Sequence, residues 1–494
     1  GADGAGAQRR GPVTSRRDPP KAAGAVCPAP DGRRPAFAWK PLCFYGLVIA
    51  VLWVAAASEW LNRLAPLPMG GDGYCVLALL IFAVLSWCLM LAPIAVTALL
   101  LLALVPFTGL MTFPQAVQAS FGDSTFAFFL GVLLLSGAFQ KTPLGQRIVL
   151  LIFRVFGRRP RAVLLGLMLS GMLLAMWVTE VAAAAILYPL ALALTRQAQG
   201  RSDFCALSRT LMIGVAWGPA FGGVATPIAT GANLVAISHL QEHAGVSVSF
   251  GQWMAVGVPI AITLLAAGWL LLARELPDGQ KLEPVGMPPP FGWKEGLLLA
   301  DFLLAVLLWI FGERVGLSSH HVALLAGLFL FLPGVKVLEW KESVQKVSWD
   351  SILLICSGIL LGELLYQYGI AEWMARLLFW EPLLQTGLFF TGFYIVLTVS
   401  VLKILFSSNT VAGVILVPVM VTLAQRLGAG VWGLVAPCVF SSALSFIVIT
   451  SSPVNVIPFA AGYFTPGEMA RRGIVMTLIA AAVIGFWLTV LQVR

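Results

Sequence analysis

The sequence predicts an all-α polytopic membrane protein: about 11 transmembrane helices of roughly 20 residues each, plus two re-entrant hairpins, in two inverted repeats. Three observations predict it. Hydrophobic residues make up 59% of the 494 and charged residues only 11%, where a water-soluble chain carries about a quarter charged. Two long apolar runs are interrupted by polar tips, Thr179–Glu180 in one and Ser408–Asn409–Thr410 in the other. Landmarks also recur in order. Asp123 and Gly131 match Asp350 and Gly358 at an offset of 227 residues, Pro189 matches Pro418 at 229, and Asn233 matches Asn455 at 222.

Residues 1–38 are rich in Gly, Ala, Pro and Arg. They cannot bury a core and read as a disordered basic tail. The first transmembrane helix falls within 39–73. Its apolar run, 42–61, is long enough to span, so no cleavable leader is evident. The first repeat, 74–273, holds runs at 74–91, 94–111, 124–140, 206–240 with an interruption, and 253–273. Its hairpin, 162–195, pairs 162–178 with 182–195. A Pro-rich linker, 274–295, precedes the second repeat, 296–494. There the runs are 296–312, 321–335, 350–368, 432–461 with an interruption, and 473–492, and the hairpin, 386–424, pairs 386–406 with 411–424. Each repeat makes an odd number of crossings, so the second is inverted. Each hairpin run is too long for one crossing and lacks an aqueous loop to make two. Backbone turning at membrane depth must be buried in protein or line a wet cavity.

The net charge of +9 does not point to nucleic acid, because the cations sit in the tail and short loops. That is the positive-inside pattern, and it places the N-terminus in the cytoplasm. Arg147–Arg161 reads as a cytoplasmic amphipathic helix and Ala371–Trp380 as its repeat mate outside. Asp123 and Asp350 open their helices and are expected to act as structural caps, and the 16 tryptophans mostly suit interfacial belts. The seven cysteines are scattered and the four histidines give no ligand cluster. With no nucleophile–base pair in the spans, an enzyme is not expected.

Four elements would meet at the repeat interface near the midplane: the two tips, the break Ala225–Asn233, and the break Thr450–Asn455. Pro and Gly unwind helices there. Unwound carbonyls can coordinate Na⁺, and the helix N-termini that follow offer N–H groups to an anion. The candidate substrate-binding residues are Thr179, Glu180, Ser408, Asn409, Thr410, Thr230, Asn233, Ser452, Pro453 and Asn455. The candidate ion-coupling residues are Glu180, Thr226, Gly231, Asn233, Ser408, Asn409, Thr450 and Asn455.

The Ser408–Asn409–Thr410 tip, the ThrProIleAlaThrGlyAlaAsn break at 226–233 and the closing residues Asn455, Gly462–Thr465 and Glu468–Ala470 carry a resemblance. From about residue 42 to 494 the chain resembles the divalent-anion/sodium symporter family, carriers of dicarboxylates, citrate and sulfate within the wider ion-transporter superfamily. The resemblance implies a homodimer whose mobile transport domain moves against a scaffold as an elevator. It implies Na⁺ at each hairpin tip with its paired break, and both tips gripping the substrate's oxygens. No cofactor is implied beyond the coupling ion, Na⁺ or H⁺.

The first tip departs from the family pattern, reading Thr179, Glu180, Val181 in place of Ser-Asn-Thr. An ionised Glu180 would repel a dianion by about a few kcal/mol at moderate dielectric. Glu180 could be neutral and couple a proton, ligate Na⁺, or pair with an internal cation. Lys403, five residues before Ser408, is the candidate for that cation; otherwise it snorkels to a vestibule. The expected function is a cation-coupled secondary transporter of small divalent anions, dicarboxylate first. The alternatives are a proton-coupled or exchange-type carrier using Glu180, a sulfate transporter, and a cation/proton antiporter or channel.

Overall fold

The computed structural model describes residues 39–65, 69–276, 281–282, 290–312 and 316–493. These residues are helical, with no strand among them. The basic tail and half of the linker, 277–280 and 283–289, lie outside the described residues.

The first helices are α1 Trp39–Leu64, α2 Gly70–Cys88 and α3 Ile94–Leu104, which tightens into a 3-10 turn to Thr108. Short α4 Phe113–Phe121 starts with a Thr112–Gln115 capping box, which satisfies two orphan N–H groups at once. Then come α5 Ser124–Lys141, α6 Leu144–Phe156, the hairpin arms α7 Pro160–Ala175 and α8 Glu180–Gln197, the broken pair α9 Phe204–Ala225 and α10 Gly231–Ala244, and α11 Phe250–Ala273. Helices α12 Trp293–Phe311, α13 Ser319–Phe329 and α14 Trp340–Lys346 follow.

The element order then repeats. It runs α15 Trp349–Gln367, α16 Ile370–Leu378, one-turn α17 Glu381–Leu384, hairpin arms α18 Leu388–Leu402 and α19 Asn409–Leu427, broken pair α20 Val431–Ala443 and α21 Pro453–Phe459, and α22 Pro466–Val490. Helices α6 and α16 are the two amphipathic members of this order. Each buries one stripe only: Leu144, Val149 and Ile152 in α6, and Ile370, Ala371 and Ala375 in α16.

Nine helical stretches among the described residues are long and apolar enough to cross a membrane, and shorter apolar helices lie at 94–108, 160–175, 319–329 and 431–443. Burial rises from rim to centre. Helix α1 buries only Val51, whereas α9 is buried almost continuously from Leu207 to Ala225. Small residues set the central contacts. Gly214, Gly218 and Gly222 repeat every four residues along one face of α9. A Cβ at Gly218 would lie 2.7 Å from the Met168 carbonyl oxygen of α7, and one at Gly222 2.4 Å from that of Met172. Only glycine lets the two backbones approach so closely. This contact fixes the end of α9 beside the tip that follows α7.

One expectation changes. Asp123 does cap its helix, accepting from Thr125 N at 2.6 Å. Asp350 instead lies inside the first turn of α15 and accepts from Ala95 N at 3.2 Å, serving the start of α3. Among the tryptophans, Trp87, Trp217, Trp253 and Trp309 are fully buried. Trp253 Nε1 donates to Val224 O at 3.1 Å, so this ring braces the α9 break.

Candidate functional site

The two tips form in the same way. After α7, Met176 and Val178 bond back to Met172 and Leu174 carbonyls at 3.0 and 2.8 Å. Thr179 then turns extended (φ −63°, ψ 146°) and caps α8, its side chain accepting from Ala182 N at 3.4 Å. Glu180 becomes the first residue of α8. In the second hairpin α18 ends in a 3-10 turn, Lys403–Leu405, extended Ser408 is the N-cap, and Asn409 opens α19. Glu180 and Asn409, 229 residues apart, therefore hold the same position at the start of an inward arm.

The breaks are duplicates too. Helix α9 stops at Ala225, and extended Thr230 caps α10 by accepting from Asn233 N at 3.4 Å. Helix α20 stops at Ala443, and extended Ser452 caps α21 by accepting from Val454 N at 3.4 Å. Asn233 Nδ2 donates to Gly223 O at 2.9 Å and Thr226 O at 2.8 Å. Asn455 Nδ2 donates to Ser445 O at 2.9 Å and Val448 O at 3.3 Å. Both asparagines thus clamp the carbonyls ten and seven residues upstream.

These four elements converge. Asn409 Nδ2 donates to Glu180 Oε2 at 2.8 Å, joining one tip to the other, and also to Ala443 O at 3.1 Å. Ser445 Oγ donates to Asn409 Oδ1 at 2.9 Å. Thr226 Oγ1 donates to Met176 O at 2.5 Å, tying the first tip to its break. Gly231 touches the second tip: a Cβ there would lie 2.9 Å from Thr410 Oγ1.

Three acceptors in this cluster are buried without a hydrogen-bond partner: Glu180 Oε1, Asn233 Oδ1 and Asn455 Oδ1. An unsatisfied buried group costs about 1–3 kcal/mol. Unpartnered oxygens at equivalent places in the two breaks suit a hard cation. The starts of α8, α10 and α19 carry the positive ends of helix dipoles and suit anionic oxygens.

The duplication differs in one pair. Where the second repeat has Asn409 bonded to Ser445, the first has Glu180 against Gly223, at the matching place 222 residues earlier. A Cβ at Gly223 would fall 2.0 Å from Glu180 Oε1. The longer acid fills the room that the missing side chain leaves.

Lys403 is 2% exposed and donates Nζ to Leu444 O at 2.9 Å. Among the described residues it makes no ion pair within 4.0 Å, with Glu180 or any other acid. Lys403 and Asn409, the amide that holds Glu180, reach the same bend through adjacent carbonyls, Leu444 for Lys403 and Ala443 for Asn409. Thr450 and Pro453 are exposed and are not drawn into the cluster, where Ser451 and Ser452 are the buried residues of that break. Ser408 is half-buried. Gly223, Ser445 and the Met176 carbonyl are parts of the site that sequence reasoning missed. The offset of 222 that pairs the asparagines also pairs Gly223 with Ser445.

The histidines need a correction. Ligand atoms of His239, Glu242 and His243 lie within 4.8 Å of one another. The two imidazoles are four residues apart, one helical turn, and so share a face of α10.

The pattern described as the sodium:sulfate symporter transmembrane region matches residues 44–491. The sodium-dependent dicarboxylate transporter SdcS of Staphylococcus aureus strain USA300 is 27% identical over 458 residues, covering 85% of this chain and 86% of that protein. The same transporter from strain bovine RF122 / ET3-1 matches equally. Among solved structures, the YdaH transporter of Alcanivorax borkumensis aligns with a TM-score of 0.57 at 16% identity, over 91% of this chain and 98% of that one, a likeness of fold.

Proposed function

The chain belongs to the sodium:sulfate symporter family, and we propose that this integral multi-pass membrane protein is a secondary active carrier of small divalent anions, dicarboxylates first, driven by a co-transported cation. The relatives named as sodium-dependent dicarboxylate transporters support that choice of anion and ion. The observation that carries the reading is the contact of Asn409 with Glu180, flanked by the unpartnered Oδ1 atoms of Asn233 and Asn455. In this reading Na⁺ takes the orphaned oxygens together with unwound carbonyls. The anion's oxygens take the helix starts at the two tips, and Lys403 adds positive charge beside them. The repeats are inverted, the N-terminus is cytoplasmic, and a homodimer carries the anion by elevator motion of the hairpins and broken helices. The family is one of transporters, and no catalytic step is assigned.

A second reading rests on Glu180 Oε1, which is buried without a partner. A carboxyl so placed can carry a proton, making the protein a proton-coupled or exchange-type carrier. One experiment separates the two. Purified protein in proteoliposomes is given labelled succinate, citrate or sulfate with Na⁺ and pH gradients imposed separately. Na⁺-driven, pH-indifferent uptake is expected. Uptake driven by the pH gradient alone, and lost in Glu180→Gln, would favour the second reading. Large channel-like conductance without saturable uptake would overturn both.

A further inference from the structure

We propose that His239, His243 and Glu363, with Glu242 closing over them, form a binding site for a divalent transition-metal ion of the zinc class, away from the hairpin tips. The segment His239-Leu240-Gln241-Glu242-His243 sets two imidazoles one turn apart on α10. Glu363 approaches from α15, its Oε2 3.0 Å from His243 Nε2. That approach lacks hydrogen-bond alignment, because His243 Nε2 has no hydrogen-bond partner.

His239 supplies the independent observation. It is fully buried, and neither Nδ1 nor Nε2 has a hydrogen-bond partner. A histidine kept for packing normally satisfies at least one ring nitrogen, because buried polar atoms seldom go unpaired. Here Nε2 lies against Gly362, next to Glu363; a Cβ on Gly362 would sit 2.2 Å from it. Glycine makes the room that brings the ring to the acid.

The ligand chemistry selects the ion. Two imidazoles and two carboxylates suit Zn²⁺ and its neighbours rather than Ca²⁺ or Mg²⁺, which prefer all-oxygen shells. Zinc holds nitrogen and oxygen ligands at about 2.0–2.2 Å; the ligand atoms of His239, Glu242 and His243 already lie within 4.8 Å of one another, and Glu363 joins them through its Oε2, 3.0 Å from His243 Nε2. Outer supports are in place. The Tyr366 ring stacks on His243 at 4.0 Å and 22°, Gln425 Nε2 donates to His243 O at 2.5 Å, and Gln367 donates to Glu363. The Tyr366 stack and the Gln367 bond hold two of the ligand side chains, as supports of metal ligands do, and Gln425 fixes the backbone beneath His243. A cleft of about 610 Å³, lined by Asp123, Glu242, His243 and Glu363, gives the ion entry. Bound there, the ion ties α10, which continues the Asn233 break, to α15.

The test is metal binding rather than transport. Full-length protein without a polyhistidine tag, stripped with chelator in detergent, is titrated calorimetrically with ZnCl₂ and by visible absorption with CoCl₂. One saturable site per chain is expected, with intense cobalt absorption of tetrahedral type. His239→Gln, His243→Ala and Glu363→Gln should each weaken zinc at least tenfold, and His320→Ala should not. Absence of saturable binding to the unaltered protein overturns the proposal without reference to any variant. So does affinity within twofold of wild type in both histidine variants.

Discussion

Serine at position 223 would make the first repeat copy the second, yet it should damage the site. A Cβ there lies 2.0 Å from Glu180 Oε1 and 3.0 Å from its carboxyl carbon. Ordinary contact needs about 3.5 Å, so the carboxyl group must withdraw by more than about 1 Å and leave Asn409 Nδ2, now 2.8 Å from Oε2. Losing that hydrogen bond costs about 0.5–3 kcal/mol, more when the carboxyl is ionised, and overpacking about 1–3 kcal/mol. A penalty of about 2–6 kcal/mol follows, large for one substitution. The remedy is to shorten the acid. Gly223→Ser with Glu180→Asn rebuilds the Ser445–Asn409 arrangement in the first repeat and should recover most of the loss. The assay is the apparent melting temperature in detergent of the wild type, both single variants and the double variant. Gly223→Ser should melt lowest, with favourable coupling of about 1–3 kcal/mol in the double variant. Additivity within about 0.5 kcal/mol, or wild-type melting of Gly223→Ser, would refute the reasoning.

Thr226→Val removes the donor to Met176 O and should cost about 1–3 kcal/mol, seen as a lower melting temperature, while Thr226→Ser retains the wild-type value. Lys403→Met should leave melting unchanged or higher, because burying an ammonium group is costly. It should weaken binding of the transported dianion at least tenfold, read by ligand-induced melting shifts; equal affinity would remove Lys403 from the site. Burial opposes the charge of Glu275, but Arg472, at 2.6 and 2.7 Å, and Arg209, at 3.1 Å, outweigh it and hold the carboxyl below its ordinary value. A depressed acid stabilises the fold above its unfolded value and loses that contribution as pH falls through the folded one. Glu275→Gln should therefore melt below wild type at neutral pH, and the gap should close below about pH 4.

The sequence makes the hairpins legible because a Glu or an Asn inside an apolar run has no cheap place in a bilayer except a protected site. It makes the breaks legible through Pro, Gly and the recurring asparagine, whose offset carries the duplication. What it hides depends on partners distant in the chain. Gly223 has meaning only beside a side chain 43 residues earlier. Asp350 sits at a helix start, yet its carboxylate serves the N-terminus of α3. Lys403 meets a carbonyl rather than the acid, because the bend after α20 brings Leu444 O to it. The spacing of His239 and His243 was open to view. Glu363, the acid that faces them, is 120 residues beyond His243, and only the packing of α10 on α15 brings it there.

Single cysteines at Thr179 and at Ser408, in a background with the seven native cysteines replaced, measure most directly whether both tips enclose one solute. Each is labelled with a thiol reagent while the transported dianion is titrated in the presence of the coupling cation. Protection of both positions with the same half-saturating concentration is the predicted result. Protection of one position alone, or of neither while uptake persists, would contradict a shared pocket between the hairpins.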